Sequence, residues 1–246
     1  LVQDIIFSRG PKGAKFTALF VGGDNLETAE KVRSAAIKSM FPPFQVSVMI
    51  DPKGAYTTGA ALVAKVEKAL GGLSGKKAAI LGATGPVGRV AATLCAQSGC
   101  TVVVGSRSQE SADRLAKEIG EKAGGTVTGA QMGSDEEKLP ILKGVDLILA
   151  TAKAGVLILP RSLLEGLPPD KVVADVNAVP PSGVAGLKPD DDLKEIAPGI
   201  RGIGAIAIGT LKYGVEMEML ETIRTSKEFT DLDDASAMEI ARRRLQ

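Results

Sequence analysis

The stretch Lys76-Lys77-Ala78-Ala79-Ile80-Leu81-Gly82-Ala83-Thr84-Gly85-Pro86-Val87-Gly88-Arg89 decides how the chain is read. Ala78 to Leu81 is a short apolar run flanked by charge, the pattern of a parallel strand covered on both faces. Gly82, Gly85 and Gly88 then fall three apart, and Val87, Val90, Ala91 and Leu94 carry helical spacing up to Gly99. A glycine turn between a strand and a helix lets the backbone approach a pyrophosphate and sets that anion on the helix N-terminus. The spacing is G-x-x-G-x-x-G and not the G-x-G-x-x-G usual for dinucleotide sites, so the glycines alone are weak evidence. The next strand, Thr101 to Val104, runs into Gly105-Ser106-Arg107-Ser108. An NAD site places a carboxylate about twenty residues after the glycines, to grip the ribose 2′-hydroxyl. Here Arg107 stands nineteen residues past Gly88, between Ser106 and Ser108. An arginine with hydroxyls beside it suits a 2′-phosphate, so the cofactor expected is NADP, with NAD possible as a second.

Composition narrows the function classes. The 246 residues are 44% hydrophobic and 24% charged, enough for a well-buried α/β core. A net charge of +1 and 3% aromatic content argue against nucleic-acid binding, which needs basic patches and stacking surfaces. No apolar run approaches a membrane span and the first twenty residues carry several charges, so neither membrane association nor a signal peptide is expected. Cys95 and Cys100 read as small packing residues in a reducing cytoplasm. There is no histidine, which excludes a histidine-based acid–base or metal site.

Outward from the glycine turn, the chain alternates between strands and helices. Before it, strands are expected at Phe16–Val21 and Gln45–Ile50 and helices at Leu26–Met40 and Ala60–Leu70, with Gly54–Gly59 a loop. Leu1 to Phe7 begins like the middle of an element, so residues are expected upstream. Gly71-Gly72-Leu73-Ser74-Gly75 is a natural hinge. After it, further strands are expected at Thr126–Gln131, Val145–Thr151, Lys171–Val176 and Ile203–Ile208, with Pro189–Glu195 an exposed acidic segment. Gly209-Thr210-Leu211-Lys212 then reads as a turn, and helices at Val215–Arg224 and Asp233–Arg243 close the chain. The fold expected is α/β, a doubly wound parallel (Rossmann) sheet over 73–212 plus a smaller α/β substrate domain over 1–72, joined by C-terminal helices in 213–246. Ligands on such sheets bind at the carboxyl ends of the strands. That brings Gly82, Thr84, Gly85, Pro86, Val87, Gly88, Ser106, Arg107, Ser108, Thr151, Ala152 and Asn177 round one crevice as cofactor-binding candidates.

At these residues the sequence closely resembles the NADP-dependent methylene-tetrahydromethanopterin dehydrogenases of methylotrophic bacteria, some of which also act on methylene-tetrahydrofolate. The similarity runs from about Ile5 to the C-terminus. Its carriers are Asp51-Pro52-Lys53-Gly54-Ala55-Tyr56-Thr57-Thr58, Thr84-Gly85-Pro86-Val87-Gly88, Asp175-Val176-Asn177-Ala178-Val179-Pro180-Pro181 and Gly204–Lys212. The resemblance implies hydride transfer from the methylene carbon of a reduced pterin carrier to the nicotinamide, in one-carbon metabolism. It implies Lys212 as the catalytic residue and Asp51, Thr57, Thr58 and Lys212 as substrate-binding residues, with no metal. Thr57 and Thr58 serve equally well as helix caps, and Asp175 and Asn177 as turn residues. Lys153 is the weakest candidate, because the family often has a small residue there. The resemblance also implies several tens of residues ahead of Leu1, and a cytoplasmic homo-oligomer. Two other readings stay open at this point. One is a shikimate-dehydrogenase-like or bifunctional folate dehydrogenase–cyclohydrolase enzyme; the other is a non-catalytic NADP-binding sensor.

Overall fold

The computed structural model describes residues 1–246 and contains two sheets. The larger is seeded by β3 (Lys77–Leu81) and β4 (Thr101–Ser106), joined through α4 (Pro86–Gln97). After them come β5 (Val127–Gln131), β6 (Leu147–Ala150), β7 (Lys171–Asp175), β8 (Asp192–Ala197) and β9 (Ile200–Ile203). Their order is β5-β4-β3-β6-β7-β9-β8, parallel except for the last strand, which runs antiparallel to β9. Reversal of strand order on the two sides of β3 makes this a doubly wound Rossmann sheet, with its ligand crevice where the order switches.

Parity along the strands shows why both faces are covered. Ala78 and Ile80, Leu147 and Leu149, and Val172 and Ala174 enter one apolar core, while Ala79 and Leu81, Ile148 and Ala150, and Val173 enter a second. Side chains alternate at period two, so a strand buried on both faces reads as a continuous apolar run. The first core continues to the smaller sheet, where β1 (Ala18–Val21) and the C-terminal β10 (Asp231–Leu232) flank β2 (Ser47–Ile50), all parallel. Between the sheets lie α3 (Ala55–Leu70), α8 (Ala205–Thr225) and α9 (Asp234–Leu245), with Tyr56, Leu62, Val215 and Met219 buried there. No helix is long and apolar enough to cross a membrane.

Four segments differ from expectation. The chain from Ile203 to Ile208 is not a strand: β9 stops at Ile203, and Gly204 is the N-cap of α8. Ile208, Leu211, Val215 and Met219 are buried at helical spacing, but a short apolar run cannot be assigned by periodicity alone. The turn expected at Gly209–Lys212 is therefore the second turn of α8. Pro189–Glu195 is not simply an exposed acidic segment, because its second half opens β8, and Asp191 is buried with its carboxylate accepting from the Lys188 N–H at 2.8 Å. An edge strand with its first four residues exposed carries little hydrophobic signal. Gly54–Gly59 is not a loop; α3 already starts at Ala55. Gly59 lies inside that helix because a Cβ there would sit 2.6 Å from Val90 Cγ1, so the glycine lets α3 close onto α4. Finally, β10 has only two residues and left no pattern to read.

Candidate active site

A cleft of about 1220 Å³ opens at the carboxyl ends of β3, β4 and β6. Gly82, Thr84, Gly85, Pro86, Ser106, Arg107, Ser108, Thr151 and Ala152 line it. Val87, Gly88 and Asn177 do not. The three glycines of the turn have separate jobs. Gly82 has φ +88°, and a Cβ there would lie 2.5 Å from the backbone of Ala152, so no other residue fits. At Gly88 a Cβ would meet Thr151 Oγ1 at 2.6 Å and the Gly82 carbonyl oxygen at 2.7 Å, which marks it as the contact between α4 and the sheet. Gly85 is different: its φ of −79° suits any residue, and a Cβ would find only ordinary contacts, the nearest at 3.4 Å. It is the N-cap of α4 and makes no side-chain cap; Pro86 at the first helical position has no N–H, so the uncapped N–H groups at this helix end are those of Val87 and Gly88.

The charge in the cleft is one-sided. Lys53, Arg89, Arg107, Arg114, Lys138 and Lys153 line it against a single acid, Glu118. Arg89 is paired with Glu118, Lys53 with Asp24 and Lys138 with Asp135, which leaves Arg107, Arg114 and Lys153 as unpaired cations. Such a lining favours a polyanionic ligand. Ser108 caps α5 (Gln109–Ala123) by accepting from the Ser111 N–H, and Arg107 just ahead of it makes no hydrogen bond or ion pair of its own. Thr151 is largely committed to structure, its hydroxyl donating to the Leu81 carbonyl at 3.0 Å.

Asn177 is also committed. Its side chain donates to the Pro181 carbonyl and accepts from the Val179 N–H, both at 2.9 Å, closing the loop after β7. Asp175 underpins the same loop, accepting from the Asn177 and Gly183 N–H groups and from Ser182 Oγ; burial is the chief influence and raises its pKa. Both side chains are engaged in holding this turn.

The substrate candidates form a second group around the turn Asp51–Gly54. Asp51 and Thr57 are buried, and the carboxylate of Asp51 accepts from Tyr56 N–H at 2.8 Å and from Thr57 Oγ1 at 2.7 Å. Asp51 thus does for α3 what an N-cap does. Thr58 is partly exposed, and Lys212 reaches the same place from α8: a Cβ built on Gly54 would lie 3.4 Å from Lys212 Cε and 3.9 Å from Thr58 Oγ1. Lys212 is one-quarter exposed, and Glu216 holds its ammonium at 2.5 Å. Lys53 joins the two groups. It belongs to the same turn, takes a left-handed φ of 53° and lines the cofactor cleft.

Burial raises the Asp51 pKa despite bonds from Thr57 and Tyr56 and the charge of Lys212. The folded state therefore holds the proton more tightly than the unfolded chain, and ionising Asp51 costs stability as pH rises from about 4 through the raised value. Asp51→Ala should lose about 2–4 kcal/mol in chemical denaturation, since it strands buried donors, while Asp51→Asn keeps an acceptor and loses less. The gap between wild type and Asp51→Asn should narrow as pH is raised from about 4 to 7.

Sequence reasoning missed Lys53, Arg114 and Glu216. Arg114 follows Arg107 by seven residues and Glu216 follows Lys212 by four, both same-face helical spacings that were there to be found. Nothing in the sequence marks the backbone of Lys53.

Residues 1–53 match the model of the N-terminal region of methylene-tetrahydromethanopterin dehydrogenase. Over 249 aligned positions the chain is 37% identical to the NAD(P)-dependent methylenetetrahydromethanopterin dehydrogenase of Methylorubrum extorquens, covering 98% of this chain and 84% of that one. The chain belongs to this dehydrogenase family. It is also 37% identical over 228 positions to the bifunctional protein MdtA of the same organism, covering 92% of this chain and 79% of that one. Among solved structures, shikimate 5-dehydrogenase from Listeria monocytogenes superposes with a TM-score of 0.53 at 19% identity, over 82% of this chain and 65% of that one. Quinate dehydrogenase from Corynebacterium glutamicum gives 0.51 at 18%, over 75% and 61%. These two share the fold of this chain.

Proposed function

We propose that this protein transfers a hydride from methylene-tetrahydromethanopterin, or from methylene-tetrahydrofolate, to NADP, leaving the methenyl pterin, as a step of one-carbon metabolism. The observation that carries the reading is the basic cleft at the switch point of the sheet, with an unpaired Arg107 in the place of the NAD-specifying acid, in a chain of this family. The residues present fit a dinucleotide phosphate: Gly85 leaves room at the α4 N-terminus, and Arg107, Arg114 and Lys153 are unpaired cations in the lining. Bound NADP supplies the hydride acceptor.

The residues of this chain bind and orient. The Gly82–Gly85 turn and the first N–H groups of α4 would hold the pyrophosphate, and Ser106, Arg107 and Ser108 the phosphorylated ribose. The hydride leaves a carbon flanked by two nitrogens whose lone pairs stabilise the product cation, so the step needs no general base, in keeping with a chain that has no histidine. Rate then comes from holding donor and acceptor carbons together in a cleft sheltered from water. Lys212, with Thr58 beside it, would bond pterin oxygen or nitrogen atoms. A bare ammonium near a methenyl cation would be unfavourable, and the pairing with Glu216 removes that repulsion. Asp51 and Thr57 position this group through the start of α3.

Residues 1–72 with the C-terminal helices form the pterin unit in this proposal, and the cofactor unit starts at 73. The pairing of β10 with β2 supports the return of the C-terminus to the first unit. Because α8 runs unbroken through Lys212, the second boundary is drawn back from 212 to Gly204. The protein acts in the cytoplasm, without nucleic acid or membrane, as a homo-oligomer. Exposed Ile206, Tyr213, Met217 and Leu220, along one side of α8, support self-association, and a monomeric mass by light scattering would refute it.

The test is NADPH formation with each pterin. Turnover with at least one is expected; tight NADP binding without turnover on either would favour the sensor reading. Arg107→Asp should weaken NADP binding by about 2–3 kcal/mol and spare NAD. Equal effects on the two cofactors would sink the 2′-phosphate assignment.

A further inference from the structure

We infer that Arg114 is a second specificity-determining residue of the cofactor cleft, binding the 2′-phosphate of NADP in concert with Arg107. The inference rests on the reading of the cleft as an NADP site and adds a residue to it. The chain has eleven arginines. Nine of them hold a hydrogen bond or an ion pair: Arg9 and Arg33, Arg89 with Glu118, Arg161 and Arg201 with carbonyls, Arg224, and Arg242 to Arg244. The two without any partner are Arg107 and Arg114, and both line the same cleft.

Their placement is not scattered. Positions 107, 111 and 114 are four and seven residues apart, which the 3.6-residue turn brings onto one face of α5 and the residue leading into it. Ser111, between the two arginines, lines the cleft as well. Arg114 lies about 9 Å along the helix from its N-cap Ser108, and a helical side chain leans back towards the N-terminus, here towards Arg107. Both arginines are exposed at the cleft wall. The one acid among the lining residues, Glu118, is occupied by Arg89 and does not compete for Arg114. Two free guanidinium groups on one face, with hydroxyls between them, suit a compact dianion held by charge-assisted hydrogen bonds from two sides.

Calorimetric titration of the full chain with adenosine 2′,5′-bisphosphate and adenosine 5′-monophosphate tests this without any turnover. Arg114→Ala should weaken the bisphosphate about tenfold to a hundredfold and leave the monophosphate within about twofold. Arg114→Lys, which keeps the charge and loses the fork, should recover part of the loss. Equal weakening of both ligands in Arg114→Ala, or no weakening of either, would overturn the inference. If Arg107→Ala erases the preference for the bisphosphate while Arg114→Ala leaves it intact, the NADP reading stands and the role of Arg114 falls. A wild-type protein with no preference between the two ligands would overturn both.

Discussion

Gly85→Val is expected to abolish measurable NADP binding and leave the protein folded. The backbone at Gly85 has φ −79°, within reach of any residue, and the nearest atom to an added Cβ is the Gly82 carbonyl oxygen at 3.4 Å. The branched side chain would therefore be tolerated by the protein and project where a pyrophosphate must approach the N–H groups of α4. A loss of about a hundredfold or more in affinity corresponds to ~3 kcal/mol, against a stability change under about 1 kcal/mol. Its neighbours in the turn should behave in the opposite way. Gly88→Ala would press a methyl against Thr151 Oγ1 and the Gly82 carbonyl and should cost about 1–3 kcal/mol of stability. Calorimetry for binding and urea denaturation for stability separate the two effects. Normal NADP affinity in Gly85→Val would reduce the turn to a strand–helix connection.

Lys212→Ala is expected to lower the single-turnover rate at saturating NADP by about a hundredfold, through lost orientation of the pterin. It should not introduce a pH dependence. With no histidine in the chain and a product cation stabilised by its own nitrogens, the rate should be nearly flat between about pH 6 and 8 in wild type and variant alike. A bell-shaped wild-type profile that becomes flat in Lys212→Ala would make the lysine an acid–base group. That result would also revive the cyclohydrolase reading, since water activation requires such a group.

The doubly wound sheet was legible because its central strands are buried on both faces and so read as plain apolar runs: Ala78–Leu81, Val145–Thr151 and Lys171–Val176 all overlap the strands found. The glycine turn was legible as a place, but not in its division of labour. Whether a glycine relieves a positive φ, admits a neighbouring backbone or leaves room for a ligand depends on atoms far off in sequence, such as Ala152 and Thr151. Lys212 was assigned to a turn after a strand, and it lies within α8. Ala205 to Gly209 is short, apolar and rich in small residues, and its helical identity depends on Leu211, Val215 and Met219 further on. Asp51 and Asn177 show the reverse limit. They stand among the residues that carry the family resemblance, yet their side chains are engaged in holding α3 and the loop after β7. A motif marks where a site is built, and the hydrogen bonds decide which of its residues are left to meet a ligand.

The most direct test of hydride transfer uses a pterin carrying deuterium on its methylene carbon. Incubated with the wild-type protein and NADP, it should give methenyl pterin and NADPH in equal amounts, with the label found in the reduced cofactor by mass spectrometry. NADPH formed without the label, or no NADPH from either the methanopterin or the folate substrate, would contradict the account.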